Sequence, residues 1–388
     1  MDLPLRPPGA AGRRRRRGAQ DGALPAPGKG RARRLALGDG RLGDRRVSGP
    51  GFDAGRLAAR LDAELGATTG EIVLERIGGG QSNPSFFLDR GPERYVLRKQ
   101  PGGPILRGAH AIDREYRVLQ ALAPTGVPVP RPVLYCEDAE VIGTPFYLME
   151  RVEGRVFTDT SLEDLPAGER RAIWMAAAEA MAAMHAIVPE EVGLGDYGKP
   201  GTYFERQISR WDRQYRQSEL APIPPIEALF DWLSANRPAD DGRVSLCHGD
   251  FRLGNLMFHP SQPKVVAILD WELSTLGHPL ADLGFCCMPW HTAPEEYGGL
   301  LGLDLAAMQL PREDEFVARY MQAAPGAPPL LPFHKAFALY RFAVIFVGIA
   351  ERARLGNASD PEAAKLAPLA ERFALRALEI AEGRPHAL

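Results

Sequence analysis

His248-Gly249-Asp250-Phe251-Arg252-Leu253-Gly254-Asn255, followed by Asp270-Trp271-Glu272, decides the reading of this 388-residue chain. An Asp stands five positions before an Asn, and a second Asp follows fifteen residues later, behind an apolar run. Metal-assisted phosphoryl transfer needs such a set. One carboxylate orients the attacking hydroxyl, while an amide and a second carboxylate hold Mg2+ against nucleotide phosphates. Leu246-Cys247 and Val265-Val266-Ala267-Ile268-Leu269 precede the two segments, so the polar groups are expected at strand ends, where a buried strand fixes a loop. Asp250 is the expected base or hydroxyl-positioning residue; an unshifted Asp is a weak base, so alignment matters more than proton affinity. Asn255 and Asp270, both hard oxygen donors, are the expected metal ligands. His248 is expected to orient the loop by hydrogen bonds, with no part in proton transfer.

The order His-x-Asp-x4-Asn and then Asp is that of the protein-kinase catalytic and metal-binding loops, with Gly249 in place of Arg and Asp-Trp-Glu in place of Asp-Phe-Gly. The segment His248 to Gly284, ending in Gly277-His278-Pro279-Leu280-Ala281-Asp282-Leu283-Gly284, resembles the aminoglycoside phosphotransferase (choline-kinase-like) superfamily. Gly78-Gly79-Gly80-Gln81-Ser82-Asn83-Pro84 and Tyr95-Val96-Leu97-Arg98-Lys99 are similar to one branch of it, which includes the kinase-like domain fused to some acyl-CoA dehydrogenases. The similarity covers roughly residues 51–385. It implies an α+β, bilobal protein-kinase-like fold with a small β-rich N-lobe and a larger, mainly helical C-lobe. It also implies ATP and Mg2+ as cofactors, Asp282 as a brace for the catalytic loop, and Glu272 as an aid to a second metal or to the loop. The acceptor does not follow, because members of such a family phosphorylate very different hydroxyl compounds.

The nucleotide lobe is expected over residues 51–153, and the catalytic and acceptor-binding lobe over residues 154–388. Leu57, Leu61 and Leu65 give Gly55 to Leu65 helical spacing. Glu71 to Arg76 and Ser85 to Asp89 read as strands joined by the glycine turn, Arg94 to Arg98 as a third strand, and Ala111 to Leu122 as a helix. Val127 to Pro132 reads as an extended connector and Pro145 to Glu150 as a strand. Helices are then expected around residues 167–187, 204–216, 313–322, 333–355 and 361–382. Gly79 and Gly80 let backbone approach phosphate, and Ser82 and Asn83 can donate to its oxygens, unless the glycines only form a tight turn. No Gly-x4-Gly-Lys-Ser/Thr segment exists, which excludes a Walker-type P-loop.

Arg98 takes the position where the family carries a phosphate-binding Lys. Lys99 is adjacent, but the period of two points it to the opposite face. Glu115 is the expected helix partner of that cation, unless it is a solvated carboxylate. Glu150 and Val152 fall in the stretch that resembles the adenine-facing hinge, where backbone groups make the contacts. Arg252, two after Asp250, neutralises charge developing on the transferred phosphoryl group or else pairs with a surface carboxylate.

Net charge is −2, but the first fifty residues carry 13 Lys/Arg against 4 Asp/Glu, a net +9, which leaves 34 against 45 and −11 for the remainder. That Arg-, Gly-, Pro- and Ala-rich stretch lacks apolar periodicity and is expected to be a disordered basic tail. It reads as an anionic-surface or nucleic-acid tail, a targeting peptide, a solvated tail without function, or the product of a start codon placed too far upstream. No specific nucleic-acid partner is expected. Four cysteines without metal or disulfide spacing fit reduced thiols and a cytoplasmic protein. The best apolar run, Phe342 to Ala350, is too short for a membrane span. Oligomeric state is not legible.

The acceptor is expected to be a small-molecule hydroxyl compound. Aminoglycoside pockets need several carboxylates, whereas the later helices mix Glu315, Glu351, Arg319, Arg341 and Arg354 with a long apolar stripe. That balance favours an acceptor with apolar and anionic parts, and the resemblance implies a hydroxyacyl-CoA-type substrate. Arg341, Arg352 and Arg354 either face the cleft or are solvated or paired. His185 reads as a core histidine. Other readings are a nucleotide-binding pseudokinase scaffold, an antibiotic (aminoglycoside-type) phosphotransferase, and a metal hydrolase, which would leave the glycine turn and the Arg98 strand unexplained.

Overall fold

The computed structural model describes residues 51–78, 83–103, 111–199, 201–356 and 363–386, so the expected basic tail lies outside the described residues. The Asp53 carboxylate accepts the N–H groups of Gly55 and Arg56 and so starts helix α1, Ala54–Leu65, which buries Leu57 and Leu61. There follow β1 (Ile72–Arg76), β2 (Ser85–Arg90), β3 (Glu93–Lys99), α2 (Ile112–Leu122), β4 (Pro132–Cys136), the one-turn α3 (Ala139–Ile142) and β5 (Phe146–Glu150). The strands form an antiparallel sheet in the order β1-β2-β3-β5-β4.

Alternation along β3 divides its side chains between two environments. Tyr95 and Leu97 join Leu57, Leu61, Phe86, Leu88, Phe146 and Leu148 in an apolar core beneath α1. Val96 and Arg98 line the cleft between the lobes, as do Phe87, Tyr147 and Met149.

The C-lobe runs β6 (Arg155–Val156), α4 (Ala167–His185), α5 (Tyr203–Arg216), α6 (Pro224–Ala235), β7 (Ser245–Cys247), β8 (Leu256–Phe258), β9 (Val265–Ile268), β10 (Thr275–Gly277), α7 (Leu280–Cys286), α8 (Glu313–Ala323), α9 (Pro332–Arg354) and α10 (Leu369–Ala381). Two small antiparallel sheets, β6-β8-β9 and β7-β10, carry the motif segments between these helices. The α+β bilobal expectation holds.

Three local expectations are corrected. The connector ends in a strand, β4, which tolerates Pro132 because it opens the strand at the edge of the sheet. Helix α6 was not expected; it starts on Pro224 and Pro225, residues pre-set for a first helical turn. The last helix begins at Leu369, behind Pro368, and the preceding Ala363–Leu366 forms a short 3-10 turn. Helix α9 is long and apolar enough to cross a membrane by length and composition, although 72% of its most apolar window is buried against the rest of the protein.

Candidate active site

Strand β7 delivers the catalytic turn. Gly249 sits at φ +83, and a Cβ there would lie 2.6 Å from the Leu273 carbonyl oxygen, so only glycine fits. Asp282 is fully buried and accepts the backbone N–H groups of His248 at 2.6 Å and Gly249 at 2.9 Å. Burial pushes its pKa up, but bonds from His185, His248 and Gly249 outweigh this and hold it below the usual Asp range. His248 uses both ring nitrogens. Nε2 donates to the Leu269 carbonyl at 2.9 Å, and Nδ1 accepts the Asp250 N–H at 3.2 Å. With both ring nitrogens engaged, the imidazole orients the loop. His185 contacts Asp282 at 3.3 Å and the Tyr320 hydroxyl at 2.8 Å, so it buttresses the brace from behind.

Asp250 and its neighbours meet at the mouth of the cleft. Its Oδ2 accepts from Arg252 Nε at 3.1 Å and from Asn255 Nδ2 at 2.7 Å. The Asn255 amide also donates to the Asp250 carbonyl at 2.9 Å. Both amide hydrogens are thereby turned to one side, which leaves Oδ1 without a donor among the described residues. Asp270 stands at φ +66, a left-handed conformation that non-glycine residues adopt at a cost and that clusters at functional sites. Carboxylate oxygens of Glu115, Asp270 and Glu272 lie within 4.8 Å of one another. These hard oxygen donors suit a Mg2+ ion.

The N-lobe supplies the cation. Arg98 Nε lies 2.8 Å from Glu115 Oε2, and one terminal nitrogen lies 2.6 Å from Asp270 Oδ1, so a single guanidinium joins the lobes. Burial works against the Arg98 charge, yet Glu115, Tyr147 and Asp270 raise its pKa above the ordinary value. Glu115 is 1% exposed and also accepts from the Tyr147 hydroxyl at 3.0 Å and from Asn83 Nδ2 at 2.7 Å. The solvated alternative for Glu115 is thus excluded. Lys99 turns away, with its ammonium 5.8 Å from the Phe52 ring.

Arg98, Arg252, Asn255 and Asp270 line a cavity of about 550 Å3 between the lobes, with Asp250 bonded to Arg252 and Asn255 and Glu115 to Arg98 behind them. Val96, Met149, Met257 and Ile268 provide its apolar walls, and Glu150 and Val152 lie on its rim. The Glu150 carboxylate itself accepts from the Arg131 N–H at 3.0 Å. Asn83, expected to face a phosphate, lines this cavity and also donates from Nδ2 to Glu115 at 2.7 Å. Gly79, Gly80 and Ser82 lie outside the described residues. A separate cavity of about 460 Å3 lies near the N-terminal end of β7, among Thr202–Arg206 and residues 237–244, and holds none of these groups.

Arg341 corrects a further expectation. It is neither solvated nor, among the described residues, paired with a carboxylate. It is 7% exposed, and its guanidinium donates to the Gly249 carbonyl at 3.0 Å. Its neighbour in that reading, Arg354, pairs with Glu219 at 2.9 Å on the surface. Sequence spacing holds no signal for the Arg341 contact, which spans ninety-two positions.

A family model described as "Phosphotransferase enzyme family" matches residues 73–331. Acyl-CoA dehydrogenase family member 11 of Gallus gallus is 40% identical over 318 residues, 81% of this chain and 41% of the relative. Acyl-CoA dehydrogenase family member 10 of Mus musculus is 40% identical over 319 residues, 81% of this chain and 30% of the relative. The chain therefore spans well under half the length of these curated relatives. A crystal structure from Ralstonia eutropha, whose aminoglycoside phosphotransferase assignment is unproven, is 44% identical with a TM-score of 0.78, over 86% of this chain and all of the other. Spectinomycin phosphotransferase in complex with ADP and spectinomycin aligns with a TM-score of 0.57 at 13% identity, over 84% of this chain and 99% of the other, a likeness of fold alone.

Proposed function

Because the chain belongs to the phosphotransferase enzyme family, we propose that it is a small-molecule kinase that transfers the γ-phosphoryl group of ATP to an alcohol. The observation that carries this reading is that Arg252, Asn255 and Asp270 line the interlobe cavity with Asp250 bonded to Arg252 and Asn255, while Arg98, held by Glu115, reaches Asp270 from the other lobe.

Asp250 accepts the acceptor hydroxyl's hydrogen bond and takes its proton as the oxygen–phosphorus bond forms and the β–γ bridge breaks. Arg252, already 3.1 Å from Asp250, neutralises charge on the transferred group. Asn255 Oδ1 and Asp270 would hold Mg2+, which when bound screens the phosphate charges. Arg98 holds the α/β-phosphates and Glu115 holds Arg98 ready. Backbone at Glu150 to Val152 meets the adenine, and the sequence of Gly79, Gly80 and Ser82 suits close backbone approach and donation to the phosphates.

A hydroxyacyl-CoA-type acceptor is the favoured substrate, supported by the acyl-CoA dehydrogenase relatives. A cytoplasmic location belongs to the same proposal and rests on four free cysteines, all buried.

The test is ADP release by the full chain with MgATP over a panel that includes a 4-hydroxyacyl-CoA, amino alcohols, sugars and kanamycin. Turnover with the 4-hydroxyacyl-CoA, abolished by Asp250→Asn, is the expected result. Turnover with kanamycin alone would move the reading to an antibiotic phosphotransferase. Tight MgATP binding with silence across the panel would replace it with a scaffold.

A further inference from the structure

We propose that Arg341 is a positioning residue of the catalytic turn: its guanidinium fixes the Gly249 carbonyl while Asp282 fixes the Gly249 N–H, and together they set the direction of Asp250. This rests on the kinase reading of the same site.

The geometry is a clamp. Gly249 stands at φ +83, where the backbone is mobile unless both its polar groups are engaged. Asp282 from α7 takes the N–H at 2.9 Å, and Arg341 from α9 gives a hydrogen bond to the oxygen at 3.0 Å. A carboxylate on the N–H side and a guanidinium on the C=O side align the dipole of the residue between them, and both bonds are charge-assisted. The next residue is Asp250.

The setting of Arg341 argues against a packing role. Its guanidinium lies 5.6 Å from the Trp211 ring and 5.7 Å from the Phe285 ring, a site an apolar side chain would fill without desolvating a charge. Among the described residues no carboxylate lies within ion-pair distance of it. Among the described residues its hydrogen bond goes to the peptide beside the base. Arg354 on the same helix, by contrast, is surface-paired with Glu219.

Two substitutions separate geometry from packing. Arg341→Met keeps the bulk and loses the donor, whereas Arg341→Lys keeps a donor and the charge. The probes are ADP release from MgATP with a 4-hydroxyacyl-CoA, the slow release to water without acceptor, and amide hydrogen exchange of the peptide spanning residues 247–253.

The Met variant should lose on the order of 10²-fold in kcat, the scale expected of a small misplacement, with KM for MgATP changed by less than about threefold. Its 247–253 peptide should exchange about tenfold faster, and Lys should recover about a tenth or more of the wild-type rate. Wild-type kcat and exchange in the Met variant overturn the proposal, as does a Lys variant no better than Met with unchanged exchange. If the wild-type protein turns over no acceptor, the kinase reading fails, and the exchange comparison still decides whether Arg341 holds the turn.

Discussion

Asp270 concentrates the conflict that a metal site creates at a single residue. Its left-handed backbone, φ +66, is one that Asp and Asn tolerate better than other side chains. Its carboxylate is crowded by Glu115 and Glu272, with the Arg98 guanidinium at 2.6 Å as relief. Asp270→Asn should therefore leave the metal-free melting temperature within about 2 °C of wild type, since it keeps the backbone preference and removes one of three neighbouring negative charges. It should abolish the rise in melting temperature caused by MgATP. Asp270→Ala should lose the same rise and, in addition, about 1–2 kcal/mol of stability from the left-handed conformation. Thermal melts with and without MgATP check both, and an undiminished shift in the Asn variant would remove Asp270 from the metal site.

Arg98 poses a different residue-scale problem, because Glu115 behind it is 1% exposed. Removing only the cation strands a buried carboxylate, which costs about 3–5 kcal/mol in comparable pairs. Arg98→Met should show a loss of that order in urea unfolding, eased somewhat by the Tyr147 and Asn83 donors. Arg98→Met combined with Glu115→Gln should be more stable than Arg98→Met alone. Independent, additive losses from the two changes would refute the coupling.

At the scale of elements, α9 does two jobs. Its buried face (Phe337, Tyr340, Val344 and Val347) builds the C-lobe core with α5, α6, α7 and α10, while Arg341 leaves that core to hold the catalytic turn. Phe337 is fully buried and meets Phe204 edge-on at 5.3 Å. Phe337→Ala should cost about 3–5 kcal/mol, read as a lower urea midpoint with an unchanged slope. A loss below about 1 kcal/mol would mean that the site collapses around the smaller side chain.

The elements also show why some of the molecule was legible in the sequence and some was not. Asp250, Asn255 and Asp270 could be read because few side chains can bind a hard cation or align a hydroxyl, so chemistry restricts their identity and order. Helix α4 and helix α9 were legible from long apolar patterns. Strand β4 was hidden by Pro132, since a proline at the first position of an edge strand looks the same as one in a connector. Helix α7 is only seven residues long and shorter than the windows in which periodicity is reliable. The partners of Asn83 and Arg341 were out of reach for another reason. Contacts across thirty-two and ninety-two positions are created by packing, and nothing local encodes them.

At the scale of the whole molecule, burial of histidines ties stability to pH. His334 is 2% exposed and stacks on His278 at 5.9 Å, while its Nδ1 accepts the Leu331 N–H at 2.9 Å and thereby caps α9. Burial, with the nearby His278, pushes its pKa down to about 4. His278 and His291 are lowered too, in each case chiefly by burial and against the pull of Asp241 and Glu313. A histidine kept neutral in the folded protein takes up a proton on unfolding wherever the pH lies between its folded and unfolded pKa values. The unfolded state then binds more protons, so stability rises with pH in that window. For His334 the contribution should be complete above about pH 6.5, the ordinary histidine value, and should drain away as pH falls towards 4. The full difference is roughly 3 kcal/mol, since each pKa unit corresponds to about 1.4 kcal/mol. His334→Phe retains a ring and cannot titrate, but it loses the cap acceptor, at about 1 kcal/mol. The variant should therefore be slightly less stable than wild type at pH 7.5 and should overtake it near pH 6. Parallel stability curves for the two proteins between pH 7.5 and 4.5, measured by urea unfolding at each pH, would show that His334 is free to protonate in the folded state.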